Sequence, residues 1–419
     1  MSIRAYRFQL RLRPAHEAQL RRIAGGLRWV WNQALAEQRA RHARGEKYAG
    51  FAEMCKWLTA WRNAAGTGWL AEGPIHPQQQ TLRRLDEAYK RFFTKAGGFP
   101  SFKRRGEEPG IRFPDAKQFG LDAANGRIKL PKLGWVRLRM SQPVAGDLRN
   151  VSVRREGAIW FASIQVQAAD TLAALGVPPS LGIDLGLAQF AATSDGQTFD
   201  PLKALARQQC RLRRYQRSVS RKKKGSANRR KAVARLAGLH RRIAHQRSDW
   251  LHKLTTGLAD QHPVIALEDL KVQNMSASAM GTVAQPGKNV RQKAGLNRGI
   301  LDAAWGEFRR QLEYKLRWRG GQVILVNPAY TSRTCRICAH ESAENRKTQS
   351  VFACVACGHT ENADVHAAKN ILAAGHAVWL VEETRRADAC GGEVSRAAPA
   401  RARRAAPTKQ EPTEAKALV

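Results

Sequence analysis

Two short cysteine pairs constrain this chain more than any other feature. Cys335-x2-Cys338 and Cys354-x2-Cys357 are separated by 15 residues, and Gly358 follows the second pair where a turn residue is useful. Each pair makes a tight knuckle, and two knuckles close a tetrahedral shell around one Zn²⁺. Four thiolates leave no position for water, so the expected zinc is structural. His340 and His359 flank the knuckles, but four cysteines suffice as ligands. Cys55, Cys210 and Cys390 are isolated and read as packing or surface thiols.

Charge narrows the partner. Lys and Arg total 72 against 34 Asp and Glu, a formal net charge of +38. Such self-repulsion calls for a polyanion, and nucleic acid is the obvious one, since each neutralised phosphate releases a counterion. The excess is local as well as global: Lys203–Arg247 carries 17 Lys or Arg and no acid. Within it, Arg211, Arg213, Arg214, Arg217, Arg221, Lys222, Lys223, Lys224, Arg229 and Arg230 are the candidate phosphate contacts. No stretch approaches the roughly 18 to 20 apolar residues of a membrane span, and Met1–Pro14 has no apolar signal core. The expected setting is therefore a reducing cytosol, nucleoid-associated, with no membrane partner.

The pattern along the chain is α/β and multidomain. Ile3–Leu12 alternates like a strand; from Ala15 to Phe93 apolar residues such as Leu20, Ile23, Leu27, Leu82 and Leu85 recur at helical spacing, broken at Gly66–Pro77. Phe99–Gln167 alternates again, with Asn125-Gly126 as a hairpin signal. Thr171–Ser180 reads as a linker. Beyond it, strand patterns at Leu181–Asp184, Phe190–Thr193, Val264–Leu267 and Gln322–Val326 alternate with helical ones, including Ile300–Trp318. From His376 the chain turns rich in Ala, Arg and Pro and is expected to be a disordered tail, with Val378–Leu380 as a possible helical extension.

Three acids sit where such a layer would aim them. Asp184 closes the apolar run LGIDLG, Glu268 follows the buried-strand pattern VIALE, and Asp364 opens a helix just past the knuckles. Phosphodiester cleavage by two metal ions needs several carboxylates converging on one point, and Mg²⁺ prefers such oxygen ligands. Asp269 rivals Glu268, because neighbouring strand residues face opposite sides. Asp195, in a turn, and Asp302, at a helix start, are weaker candidates.

Three blocks carry a family resemblance: GIDLGLAQFAATSDG (Gly182–Gly196), VIALEDLKVQNM (Val264–Met275), and NPAYTSRTCRIC through CGHTENADVHAAKNIL (Asn327–Leu372). LRRLDEAYKRFF (Leu82–Phe93) and FPSFKRR (Phe99–Arg105) add to it. Over about residues 1–372 the chain resembles the transposon-encoded TnpB proteins, compact relatives of the type V CRISPR effector nucleases. The resemblance implies a RuvC-like, RNase H-type nuclease over 181–330 and 359–375 with a zinc-finger insert at 331–358. It implies a β-barrel wedge domain at 1–14 and 99–170 and a helical recognition insert at 15–98; the linker at 171–180 and the tail at 376–419 are read from composition and lie apart from the resemblance. It assigns Asp184, Glu268 and Asp364 as ligands of two catalytic Mg²⁺ and favours Glu268 over Asp269. It further implies a monomeric ribonucleoprotein whose guide RNA, from the transposon end, pairs with double-stranded target DNA beside a short motif. Base pairing then reads sequence while protein reads backbone and motif. Gln79 and Gln80, on the recognition helix, are candidate readers of base edges. One departure is His366, where many members have Asn. Two rival readings are a transposase that joins DNA ends and an RNA-guided binder with a dead nuclease; the second would lack one of the three acids, and all three are present.

Overall fold

The computed structural model describes residues 2–107, 109–169, 176–282, 285–346 and 348–390, with side-chain burial described to residue 385. Strand β1 (Ser2–Arg11) alternates outward and inward and buries Tyr6, Phe8 and Leu10. Helix α1 (Pro14–Ala43) starts with Pro at its first position, where a missing N–H costs nothing, and ends with Arg41 and His42 against the negative end of its dipole. It serves two cores. Leu20, Ile23 and Leu27 pack on the strands. One turn further on, Val30, Trp31, Ala34 and Leu35 pack against α2 (Phe51–Asn63) and α3 (Ile75–Phe93). The FPSFKRR segment is pinned to α1 by two hydrogen bonds between Asn32 and the Lys103 backbone and by the Trp31 indole donating to Ser101 O at 2.9 Å.

Six further strands follow: β2 (Ile111–Phe113), β3 (Gly120–Asp122), β4 (Arg127–Leu130), β5 (Gly134–Arg139), β6 (Asp147–Glu156) and β7 (Ile159–Ala168). With β1 they form one antiparallel sheet in the order β2-β6-β7-β1-β5-β4-β3. The Asn125-Gly126 hairpin is there: Asp122 accepts from the Asn125 backbone and side chain, and Gly126 takes φ +57°. The expected barrel, however, is an open half-barrel. Its edges β2 and β3 have three residues each, and a short 3-10 turn capped by Asp115 leads from one to the other instead of pairing them.

Strands β8 (Leu181–Leu185), β9 (Ala191–Thr193) and β10 (Thr198–Phe199) precede the basic run, which forms α4 (Ala204–Ser220) and α5 (Ala227–Gln261) with the break at Gly225. Then come β11 (Val264–Glu268), the single turn α6 (Val272–Met275), α7 (Val290–Ala303), α8 (Trp305–Trp318) and β12 (Gln322–Val326). The helical pattern expected over Ile300–Trp318 is there, as the end of α7 and all of α8, with Ala304 between them at a left-handed φ of +58°. Last are β13 (Val351–Ala353), β14 (Thr360–Asn362) and α9 (Ala363–Cys390). The tail expected from His376 is corrected: α9 continues to Cys390, and the His376 ring donates to Pro179 O at 2.7 Å. Residues 391–419 of that expected tail, 171–175 of the expected linker and residue 170 of the expected wedge domain lie outside the described residues.

By packing, the chain divides into two compact units. One comprises Met1–Ala173, Leu202–Gln261 and Gln273–Gly321; the other Ala174–Pro201, His262–Val272 and Gln322–Val419. The second holds the sheet β10-β9-β8-β11-β12, in which β8, β11 and β12 run parallel. The middle of the three parallel strands, β11, is buried at every residue, as parallel strands are. Among the described residues, no helix is long and apolar enough to cross a membrane.

Candidate active site

In the second unit two glycines bring α9 down onto the sheet. A Cβ on Gly182 of β8 would stand 2.2 Å from Ala368 O, and one on Gly375 of α9 would stand 2.5 Å from the Ala266 side chain of β11. Any side chain at either position would lift the helix. The close approach sets the first turn of α9, with Asp364, beside the carboxyl ends of β8 and β11. Those ends carry Asp184 and Glu268. All three acids line one cleft of about 260 Å³, together with Thr331, Arg346 and Gln349.

The electrostatics follow from that crowding. Burial, then the neighbouring Glu268 and Asp364 charges, push the Asp184 carboxyl up to about 7. Burial likewise raises Glu268, opposed by the Thr331 hydroxyl donating to its Oε1 at 2.8 Å. Arg346 Nη2 donates to Asp364 Oδ1 at 2.8 Å. Asp364 N and Val365 N both donate to Asn362 Oδ1 at 3.1 Å, which caps α9. Hard carboxylate oxygens that repel one another in a buried cleft suit a divalent cation such as Mg²⁺. The rival acids have other partners. Asp269 pairs with Lys271. Asp195 accepts from Thr193 and Gln197 inside its own turn. Asp302 caps α4 by accepting from Leu205 N at 3.0 Å and pairs with Arg247. Thr331, Arg346 and Gln349 escaped the reading of the sequence, although all lie in the block from Asn327 to Leu372; no spacing rule marks them.

The four cysteines converge. Cys335 and Cys357 sulfurs are 3.7 Å apart, Cys338 and Cys354 sulfurs 3.6 Å, and all four lie within 4.8 Å of one another. Tetrahedral Zn²⁺ with Zn–S of about 2.3 Å requires S···S of about 3.8 Å, so the donor set fits zinc. Hydrogen bonds from the Cys357 and Ala356 backbone pull the Cys354 thiol down to about 6, towards the thiolate a metal needs. Asn345, fully buried, ties the knuckles together: its amide donates to Arg333 O and His340 O, and its oxygen accepts from Val355 N at 3.0 Å. His359 instead groups with Glu361 and His366. There His366 is stacked on Phe352 at 3.7 Å and donates to Thr334 O, while Lys369 also engages Glu361. His366 is thus a packed core histidine.

In the first unit, Arg211, Arg213, Arg214, Arg217, Arg221 and Lys222 line two adjoining grooves of about 750 and 540 Å³ on α4. Lys223 and Lys224 lie exposed in the turn, and Arg229, half-buried, and Arg230, exposed, lie in the first turn of α5. Gln79 and Gln80 are half-buried on α3, a different element from this basic hairpin.

Comparison with known proteins fits these observations. A family model for the Cas12f1-like TNB domain matches residues 305–371, one described as "Probable transposase" (OrfB, IS605 type) matches 164–279, and a helix-turn-helix model of the same group matches 1–47. In the structure that last stretch is β1 followed by one continuous helix. The "Putative RNA-guided DNA endonuclease InsQ" of Escherichia coli K12 is 47% identical over 98% of both chains. A protein of Streptomyces pristinaespiralis with the same general description is 33% identical over 98% of this chain and 97% of its own. The solved Cas12f1–sgRNA–target DNA complex superposes with a TM-score of 0.50 at 16% identity, covering 86% of this chain and 83% of that one. Sheet, helix and cysteine module together define a Cas12-like nuclease fold with a zinc-finger-like TNB domain. The chain belongs to the TnpB family of transposon-associated proteins.

Proposed function

We propose that this chain is an RNA-guided, divalent-metal-dependent DNA endonuclease. The observation that carries the proposal is the single cleft lined by Asp184, Glu268 and Asp364 at the carboxyl ends of parallel strands. Two Mg²⁺ held by these acids would activate the attacking water and stabilise the departing oxygen. The chain's own groups do the rest. The Thr331 hydroxyl holds one oxygen of Glu268, fixing how that carboxylate faces the cleft. Arg346, anchored on Asp364, places a guanidinium where negative charge builds on the phosphate. Cys335, Cys338, Cys354 and Cys357 would hold one Zn²⁺, which would fix the segment from which Arg346 reaches.

The half-barrel (1–14, 99–170) and its helical insert (15–98) serve as wedge and recognition regions. Residues 181–330 and 359–375 serve as the RuvC-like nuclease, interrupted by the zinc module (331–358). The guide RNA and its heteroduplex meet the basic α4–α5 hairpin, with Gln79 and Gln80 as candidate readers of the adjacent motif. The named function of the Escherichia coli relative, at full length, supports this reading.

The test is to change only the guide segment of the RNA and supply two DNA targets, each bearing the adjacent motif. Cutting should move to the newly matched target. RNA-free protein that cuts both equally would overturn the reading, and joined DNA products would favour a transposase.

A further inference from the structure

A cleft of about 360 Å³ lies against the middle of α1 in the first unit, and nothing in the proposed reaction uses it. It is lined by Gly25 and Gly26, by Trp29 and Trp69, and by the polar side chains of Arg22, Arg28 and Glu72. Its volume falls in the roughly 300–1,000 Å³ range of small-ligand sites.

Adjacent glycines inside a 30-residue helix need a reason, because glycine weakens a helix interior relative to alanine. Gly26 has a packing neighbour: a Cβ there would meet the Trp69 ring at 3.5 Å. Gly25 has none, since nothing lies within 4 Å of where its Cβ would be. The fold would accept a side chain at Gly25; its bareness keeps the cleft open.

Trp69 is the second clue. It is 46% exposed, unusual for so large a ring. Its orientation is nonetheless fixed by an edge-on contact with Trp29 at 5.8 Å, and Trp29 stands edge-on to Trp61 at 5.5 Å. An oriented ring with an open surface is a stacking platform for a base. Arg22 and Arg28 have no carboxylate partner among the described residues and add positive charge beside the ring. Exposed Glu72 offers acceptors to a base amine.

We propose that this cleft takes an unpaired nucleobase of the bound RNA, stacked on Trp69, with its flanking phosphates on Arg22 and Arg28. The proposal rests on the RNA-guided reading above. RNA is the source favoured over DNA, because target duplex and heteroduplex keep their bases stacked and a displaced DNA strand becomes unpaired only after the RNA is already bound. RNA loops and bulges splay bases onto aromatic side chains.

The experiment strips the full-length protein of nucleic acid and rebinds the RNA that co-purifies with it, at fixed salt. Trp69→Ala and Gly25→Leu should each weaken RNA binding roughly tenfold, the loss of one stacked base. Trp69→Phe and Gly25→Ala should bind almost as wild type. Gly25→Leu should unfold no earlier than wild type, so its effect cannot come from misfolding. If both Trp69→Ala and Gly25→Leu bind RNA as tightly as wild type and still cut by guide, the cleft assignment falls and the guided reading stands. If only capture of DNA by the preloaded complex weakens, the RNA assignment falls in favour of DNA. If wild type holds no RNA, both readings fall.

Discussion

Arg346 donates a 2.8 Å hydrogen bond to Asp364, and both side chains are 23% exposed. The pair links the cysteine module to the acid cleft. Asn345, the residue before, is locked between the two knuckles, so the knuckles fix where the guanidinium can reach. The cysteine module therefore contributes to the geometry of the cleft.

Arg346→Ala should lower single-turnover cleavage about 10²-fold or more, the scale of losing one positioned donor to developing charge. RNA affinity should change less than about twofold, because one charge among many is lost. Arg346→Lys should recover only part of the rate, since an ammonium keeps the charge but lacks the planar fork. Wild-type cleavage in Arg346→Ala would remove this residue from the reaction.

Removing zinc should act through the same residue. Wild-type protein should hold one Zn²⁺ per chain by elemental analysis, and Cys354→Ser should lower that content and slow cleavage. Combining Cys354→Ser with Arg346→Ala should slow cleavage little beyond the slower single variant, because coupled groups do not add. Fully additive losses would show that the knuckles act on the cleft by another route.

Glu268→Gln should reduce Mg²⁺-dependent cleavage to background while RNA stays bound, and Asp184→Ala and Asp364→Ala should do likewise. Asp269→Asn should still cut, since Asp269 pairs with Lys271 and the cleft is lined by Glu268. The reverse outcome for residues 268 and 269 would exchange their roles.

Much of this was legible in the residues, and the failures share a cause. Strands, helices and the cysteine shell follow local rules of period and spacing. So do the apolar runs that end at Asp184 and Glu268. What escaped depends on contacts distant in sequence. Arg346 and Thr331 matter only because the chain returns them to acids 18 and 63 residues away. Phe92 continues the helical period of Leu85 and Tyr89 yet is 38% exposed, because periodicity gives a face but not where the packing beneath it ends. The break at Ala304 falls on an alanine, an ordinary helix former, with the nearest glycine, Gly306, already inside the next helix. The extension of α9 past His376 was hidden by composition, although His376 and Gly375 each have a partner in the same unit.

The acid cleft should also make stability depend on pH when no divalent ion is bound. Asp184 titrates near 7 in the folded chain and near its ordinary value, about 4, when unfolded. Between those values the folded state binds the extra proton, so the contribution of Asp184 to stability is fully present below about 4 and is lost as pH rises through about 7. Glu268, also raised, adds a term of the same sign. Carboxylates held low by partners, such as Glu361 and Asp122, act oppositely at lower pH, so raw stability is a mixed signal. The difference between wild type and Asp184→Asn isolates the cleft. In chelator, denaturant unfolding should show Asn at residue 184 gaining on wild type as pH rises from about 5 to about 8. Added Mg²⁺ should reverse the trend for wild type alone, because the ion binds the ionised carboxylates and releases the proton. A stability difference that stays constant across this range, with and without Mg²⁺, would show that Asp184 is already ionised in the folded protein and is not strained by its two neighbouring acids.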